Sequence, residues 1–350
     1  MTGPGRTLVA RLDNLGDVLL AGPAVRAVAA SGRRVTLLCG PNGRPAAELL
    51  PGVSDIIEFR APWIDPDGYR VSADAVGALV EQLRQLEFGD AAILTSFHQS
   101  PLPLALLLRL ASVETIAAIS PDYPGTLLDI RHAVADDEHE VERNLSLVAT
   151  LGYALPPADA GRLAVCVPAR ARGSVPFDRP YVVVHPGASV PARSWALESN
   201  RATVDALVNE GWAVAVTGGP DDADLTRAVA STAPARPVVD LGGSTSLGEL
   251  AGVLADADAV VVGNTGAAHL AAAVGTPVVS LYAPTVPLAR WHPWGVDHVV
   301  LGDQCIGCAG CRARQCPFVG HPCLSGVRPS DVVAAVGRLT RPHLVAEVLT

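Results

Sequence analysis

The chain contains no lysine; all 26 of its basic residues are arginine. That absence excludes a Walker A phosphate loop, Schiff-base chemistry and a lysine general base, so any phosphate must be held by arginine, main-chain N–H groups or a metal. A long apolar run is also missing. Spanning a bilayer takes ~18 to 20 apolar residues, and Arg26 and Arg109 interrupt the two best candidates. The first strand-like run, Thr7 to Leu12, is not preceded by a basic stretch, an apolar stretch and a small-residue cleavage site, which points to a cytoplasmic protein. Excess positive charge is absent too. The 26 basic and 35 acidic residues leave a net charge of −9, which excludes recruitment of nucleic acid or an anionic membrane by bulk charge. Cysteine is sparse outside one segment: five of the seven fall between Cys305 and Cys323, unlike the spread of a secreted disulfide framework.

What is present is apolar and periodic. Apolar residues make up 49% and charged ones 17% of 350 residues, enough for a large core and more chain than one core normally serves, so two packed domains are expected. Strand-like runs alternate with Ala/Leu/Val-rich segments, which predicts parallel sheets covered by helices. In the first half strands are expected near 7–11, 35–38, 55–59, 91–95 and 115–119, with helices near 18–30, 72–86, 103–110 and 138–151. A Pro/Ala/Arg/Gly-rich stretch over 156–179 is the linker candidate. Beyond it, strands near 181–185, 213–217, 237–240, 259–262 and 277–282 alternate with helices near 200–210, 221–231, 247–255 and 267–274. The expected fold is α/β, two doubly wound Rossmann-like domains facing a central cleft. The expected boundaries are 1–172, 173–327 and a C-terminal helical segment over 328–350 broken near Pro342. In such sheets ligands bind beyond the carboxyl ends of the strands, so the loops after the strands are where chemistry is sought.

Four loops carry candidate residues. The first strand runs into Leu15-Gly16-Asp17-Val18-Leu19-Leu20, which puts Asp17 at a helix N-terminus; it reads either as a cap or as a general base. The turn lacks G-x-G-x-x-G spacing, which weakens a dinucleotide reading. His185-Pro186-Gly187-Ala188-Ser189, followed by Arg193-Ser194-Trp195, offers a hydroxyl at Ser189 and a planar fork at Arg193 suited to phosphate; a surface loop is the plainer alternative. Thr217-Gly218-Gly219-Pro220-Asp221-Asp222 offers acidic side chains for a ribose contact, with a helix cap at Asp221 as the alternative. Gly263-Asn264-Thr265-Gly266-Ala267-Ala268-His269 passes from an apolar strand into an Ala-rich helix, whose first N–H groups form an anion site without any cation.

Taken in order, these segments resemble glycosyltransferase family 9, the ADP-heptose:lipopolysaccharide heptosyltransferase family of the GT-B fold. The likeness also rests on His139-Glu140-Val141-Glu142-Arg143-Asn144 and on the long run from Asn264 to Val279, and it covers nearly the whole chain. It implies inverting transfer, with no cofactor required, from a nucleotide diphosphate sugar, an ADP-heptose type, to a hydroxyl of a glycan or lipid-linked acceptor such as the lipopolysaccharide core. By the same resemblance Asp17 is the base, Arg193 neutralises the diphosphate, and Thr265, Gly266 and Ala267 bind it through main-chain N–H groups. Gly16, Ser189, Asp221 and Asn264 are further substrate-binding candidates. The implied place of work is the cytoplasm, at the inner face of the cell membrane, with peripheral membrane contact and no nucleic-acid partner.

Two departures stand out. Asn264 replaces the usual aspartate, removing a negative charge from the expected donor-sugar pocket and leaving a different sugar open. The loop Ser96-Phe97-His98-Gln99-Ser100 departs from the Asp-x-Gln-Gly type, which leaves the acceptor open and makes His98 a candidate acceptor contact or alternative base, with an ordinary loop residue as the plainer alternative. Cys305, Cys308, Cys311, Cys316, His321 and Cys323 supply enough ligands for a tetrahedral zinc site, against which stands a plain thiol brace beside the site. The rivals to the leading expectation are a GT-B transferase for another nucleotide sugar and a non-lipopolysaccharide acceptor, a non-enzymatic Cys-rich metal-binding or redox module, and a nicotinamide-dependent oxidoreductase.

Overall fold

A computed structural model describes residues 5–65, 69–96, 99–173, 175–231 and 237–347. The chain divides into two compact units, Met1–Cys166 and Val167–Thr350.

The first unit contains, in order, β1 (Arg6–Arg11), α1 (Leu15–Leu20), α2 (Gly22–Ala30), β2 (Arg34–Cys39), α3 (Arg44–Ala47), β3 (Val53–Glu58), α4 (Ala73–Gln85), β4 (Phe88–Ile93), α5 (Leu102–Leu110), β5 (Thr115–Ile119), β6 (Ile130–His132) and α6 (Glu140–Ala149). Its six strands form one sheet in the order β3-β2-β1-β4-β5-β6, every pairing parallel. Strands covered on both faces read as continuous apolar runs, and Leu8, Val9 and Ala10 are accordingly all buried. On one face Leu8, Ala10, Leu38 and Ile93 pack with Leu83, Leu104 and Leu108 of the covering helices. The single helix expected over 18–30 is two helices. Pro23 is the second residue of α2; it has no N–H to continue the α1 ladder and is tolerated only in a first turn.

The second unit contains β7 (Tyr181–His185), α7 (Leu197–Asn209), β8 (Ala213–Val216), α8 (Ala223–Ala230), β9 (Val238–Asp240), α9 (Leu247–Ala255), β10 (Ala259–Gly263), α10 (Gly266–Ala273), β11 (Val278–Leu281), α11 (Leu288–Trp291), β12 (His298–Leu301), α12 (Pro322–Ser325) and α13 (Pro329–Glu347). Its sheet runs β12-β11-β10-β7-β8-β9, again wholly parallel. Counted from its own first strand, this is the same order as in the first unit. Each sheet therefore reverses its winding once, between β1 and β4 and between β7 and β10, and ligands of doubly wound sheets bind at that point.

The units meet at Cys166 and Val167, six residues before the expected boundary at 172. A 3₁₀ turn, Ala169–Ala171, explains the difference. Ala171 is fully buried against Gly252 of α9, where a Cβ would lie 2.1 Å from the Ala171 carbonyl oxygen. The C-terminal segment belongs to the second unit: α13 packs on α7, and Val332, Ala335 and Val336 are fully buried in that core. It is one helix through position 342 rather than a broken one. The short edge strands β6 and β12 were not legible in the alternation.

Candidate active site

β1 delivers Arg11 as its last residue, at the carboxyl end of the first sheet, with its side chain completely buried. A buried guanidinium has to be paired. Its Nε lies 2.7 Å from Asp13 Oδ2, its Nη2 2.8 Å from Asp17 Oδ1 and its Nη1 3.2 Å from Glu140 Oε2. Nη2 also donates to Ser96 Oγ at 2.6 Å. α1 begins so soon after β1 that Asp17 is its third residue, where unpaired N–H groups favour a carboxylate. Gly16 precedes it in the same turn. The loop after β4 adds Ser96 Oγ, 3.2 Å from both Asp13 Oδ2 and Asp17 Oδ1, and Gln99, whose Nε2 donates to Asp13 Oδ1. α6 supplies Glu140 from its first turn, and Asn144 Nδ2 donates to the Leu20 carbonyl at 3.2 Å, tying α6 to α1.

One cation thus serves three carboxylates. Asp13 and Glu140 are 5% and 1% exposed at the side chain and Asp17 is 20%, so of the three Asp17 is the one able to meet a substrate. Burial, aided by the charge of Asp17 and opposed by Arg11, pushes the Asp13 carboxyl up to about 6. Burial alone would lower Arg11, but Asp13, Asp17 and Glu140 raise it instead, so it stays charged.

In the second unit β7 ends in His185, whose Nδ1 lies 3.0 Å from Thr217 Oγ1. Burial pushes this imidazole down to about 4, against the carboxylate of Asp222, so the ring is neutral near pH 7. Gly187 leaves room for that carboxylate: a Cβ there would lie 2.3 Å from Asp222 Oδ2. Asp222 also accepts from the Gly219 N–H at 3.0 Å. The carboxylate closing on the His185-Pro186-Gly187 turn is therefore Asp222, while Asp221 is exposed beside it, as is Ser189.

Arg193 sits on a 3₁₀ turn, Pro191–Arg193. Its Nε donates to Thr285 Oγ1 at 3.1 Å and its Nη1 to the Asn264 carbonyl at 3.4 Å, which aims the guanidinium at the end of β10. The Asn264 side chain faces elsewhere: its Nδ2 donates to the Ala283 carbonyl at 3.1 Å and its Oδ1 accepts from the Ala283 N–H at 3.2 Å. An aspartate, having no donor, makes only half of this clip. Thr265 caps α10 in an extended conformation, and its Oγ1 is buried without a hydrogen-bond partner. The first N–H groups of α10, on Gly266 and Ala267, have no intrahelical acceptor. A guanidinium, a hydroxyl and the first amides of a helix at one switch point have the donors that an anion requires.

The cysteine segment braces this turn from behind. The Ala192 N–H donates to the Arg314 carbonyl at 3.0 Å, His321 Nε2 donates to the Ala192 carbonyl at 2.9 Å, and Trp195 Nε1 donates to the Leu324 carbonyl at 3.2 Å. Cys308, Cys311, Cys316, His321 and Cys323 line one small cavity with Ala192 and Thr285. All seven cysteines are free thiols, and among the described residues no group of three or more His, Cys, Asp or Glu is disposed to hold a metal ion. A roomier cavity of about 820 Å³, lined by Arg179, Trp212, Val333 and Gly337 among others, lies at the amino end of the second sheet, away from these loops.

Of the expected site residues, Asp17 and Gly16 gather at the first switch point and Arg193, Asn264, Thr265, Gly266 and Ala267 at the second. His98 lies outside the described residues. Arg11, Asp13, Glu140, Ser96 and Thr285 were not assigned a role from the sequence, and Asp222 was read only as part of the acidic turn with Asp221. For Arg11 a signal existed, since a charged residue closing an apolar strand stands where ligands of such sheets bind.

Two Rossmann-type units, each a six-stranded parallel sheet of the same strand order with alternating helices, match the GT-B fold of glycosyltransferases. The profile of glycosyltransferase family 9 (heptosyltransferase) matches residues 78–321, and the chain belongs to that family. Lipopolysaccharide heptosyltransferase 3 of Escherichia coli is 32% identical over 212 residues, 57% of this chain and 59% of that protein. Lipopolysaccharide heptosyltransferase 1 of Pseudomonas aeruginosa is 30% identical over 198 residues, 53% of this chain and 51% of that one. The chain thus matches between half and three fifths of the length of these curated relatives. Among solved structures, E. coli ADP-heptose lipopolysaccharide heptosyltransferase II aligns with a TM-score of 0.76 at 18% identity, covering 97% of this chain and 99% of that one. E. coli heptosyltransferase WaaC with ADP-2-deoxy-2-fluoro heptose aligns at 0.70 and 23%, covering 95% and 99%. At these identities the structural likeness speaks for the fold. No described helix is long and apolar enough to cross a membrane.

Proposed function

We propose that the protein is an inverting glycosyltransferase that moves a heptose from an ADP-heptose donor to a hydroxyl of a lipopolysaccharide-core acceptor at the cytoplasmic face of the cell membrane. The observation that carries the reading is the anion site of the second unit, where Arg193, the unpartnered Thr265 hydroxyl and the first amides of α10 converge. Charge developing on the leaving diphosphate is met there by a guanidinium and preorganised N–H groups. Relatives that are lipopolysaccharide heptosyltransferases, and a fold neighbour holding an ADP-heptose analogue, support the donor and acceptor class.

In this reading Asp17 takes the proton of the acceptor hydroxyl as that oxygen attacks the anomeric carbon on the face opposite the diphosphate, and a single base suffices for inversion. No step calls for a metal, and the cysteine segment acts as a thiol brace behind Arg193. Elemental analysis checks that part: one zinc per chain would replace the brace by a metal crosslink. The rival donor drew its force from Asn264, but the clip to Ala283 gives that residue a structural role independent of the sugar. Replacing Asp17 by Asn is expected to reduce transfer from ADP-heptose by 10²–10⁴-fold with ADP affinity unchanged in calorimetry. Full activity in that variant would falsify the base assignment. A panel of ADP-, GDP-, UDP- and dTDP-sugars read by thermal shift tests the donor, since only a bound ligand raises the apparent stability.

A further inference from the structure

Each turnover under this reading leaves the acceptor's proton on Asp17, and the carboxylate has to shed it before acting again. The Ser96 hydroxyl stands between Asp17 Oδ1 and Asp13 Oδ2 at 3.2 Å from each. It carries one proton and donates to only one of the two carboxylates at a time. Arg11 Nη2 donates to the same Oγ at 2.6 Å and holds it in place. Asp13 itself is nearly sealed: Gln99 Nε2 donates to its Oδ1, and Arg11 Nε lies 2.7 Å from its Oδ2. It neither faces substrate nor is the sole counter-ion of Arg11, since Asp17 and Glu140 also pair with that guanidinium. The groups around it are Arg11 and Asp17, with Glu140 on the far side of Arg11 and Arg143 beyond Glu140 at 3.4 Å. Two arginines, Arg11 and Arg143, among three carboxylates leave the cluster with one uncompensated negative charge, room for one proton.

We propose that Asp13 is a positioning residue that stores the reaction's proton, received from Asp17 through the Ser96 hydroxyl. The acceptor oxygen bonds to the anomeric carbon while the bond from that carbon to the diphosphate oxygen breaks, the electron pair leaving with the diphosphate; the acceptor proton goes to Asp17. Asp17 then donates to Ser96 Oγ as the Ser96 proton passes to Asp13 Oδ2. Asp17 is again a carboxylate and Asp13 a neutral acid, and the proton returns by the same route when product leaves and water reaches Asp17. The raised Asp13 carboxyl, at about 6, suits both accepting and releasing the proton, being ionised near pH 7.5 yet a better proton holder than an ordinary aspartate.

The proposal rests on Asp17 as base, and three variants separate the two ideas. With ADP-heptose and deacylated inner-core oligosaccharide, Ser96→Ala is expected to lower kcat ten- to a hundredfold, with acceptor KM and ADP affinity unchanged. The acidic limb of kcat near pH 6, where Asp13 becomes protonated and stops accepting, is expected to vanish in the same variant, and Ser96→Thr to restore both. Unchanged kcat and pH profile in Ser96→Ala, beside an inactive Asp17→Asn, overturns the relay and leaves the base standing. An active Asp17→Asn overturns the base first. Carbon-13 NMR of the aspartate carboxyls in the intact wild-type chain decides without substrate. One carboxyl titrating near pH 6, whose transition also displaces a second carboxyl signal in wild type but not in Ser96→Ala, supports the store. Absence of any carboxyl titrating between pH 5 and 7 overturns it.

Discussion

The two units wind their six strands in the same order, yet their switch points carry opposite chemistry. In the first, a fully buried arginine is consumed by carboxylates, and the group left partly exposed is an acid, Asp17. In the second, an arginine is held by a hydroxyl and a carbonyl beside a helix N-terminus with an unspent threonine hydroxyl. The scaffold fixes where a site can be; the loops decide whether it takes a proton or an anion. The contrast turns on burial and partners. Arg11 is sealed among the carboxylates it serves, whereas Arg193 is placed by the Thr285 hydroxyl and the Asn264 carbonyl at the end of β10.

Substitution of the two arginines tests this contrast most severely. Arg11→Met leaves Asp13 and Asp17 without their cation and Glu140 with Arg143 alone, and is expected to destabilise the first unit by roughly 3–5 kcal/mol, read in urea unfolding. Arg193→Met is expected to cost only about 1 kcal/mol of stability. Its effect belongs to the chemistry: roughly a 10²–10³-fold loss in kcat/KM and weaker binding of ADP, by analogy with removing an oxyanion donor. Equal stability losses in the two variants would erase the distinction. A smaller effect is expected for Thr265→Val, which removes a buried hydroxyl with no partner in the free protein. Stability is expected to hold or rise by up to about 1 kcal/mol, while ADP affinity falls about tenfold, the equivalent of one hydrogen bond.

The pH dependence of stability is expected to be the subtlest and to run in opposite directions in the two units. Asp13 is raised to about 6 from an ordinary 3.8, so between those values the folded chain holds the extra proton and stability falls as pH rises through 6. His185 is lowered from 6.5 to about 4, so in that window the unfolded chain holds the proton and stability falls as pH drops. Each contributes at most about 1.4 kcal/mol per pH unit, and between about pH 4 and 6 they oppose each other. Asp13→Asn is therefore expected to steepen acid destabilisation and His185→Gln to flatten it, measured as urea midpoints at pH 4.5, 5.5 and 7. A flatter profile in Asp13→Asn contradicts the assigned direction.

Much of the molecule was determined locally and could be read without coordinates. Apolar strands bounded by turns and alternating with Ala/Leu-rich helices dictate parallel, two-faced sheets, because only crossover helices can join parallel strands and bury both faces. The same alternation puts Asp17 in a first helical turn and Thr265 at a cap, since both stand one short loop beyond a strand. What the linear order could not reveal were partnerships across long separations. Arg11 meets Glu140 129 residues away and Ser96 85 residues away. Gly187 is required by Asp222, and Asn264 is turned to Ala283. Local propensity decides which backbone forms. Which charge is cancelled and which remains available depends on what packing places beside it, and that was settled only when the sheet brought distant loops to one edge.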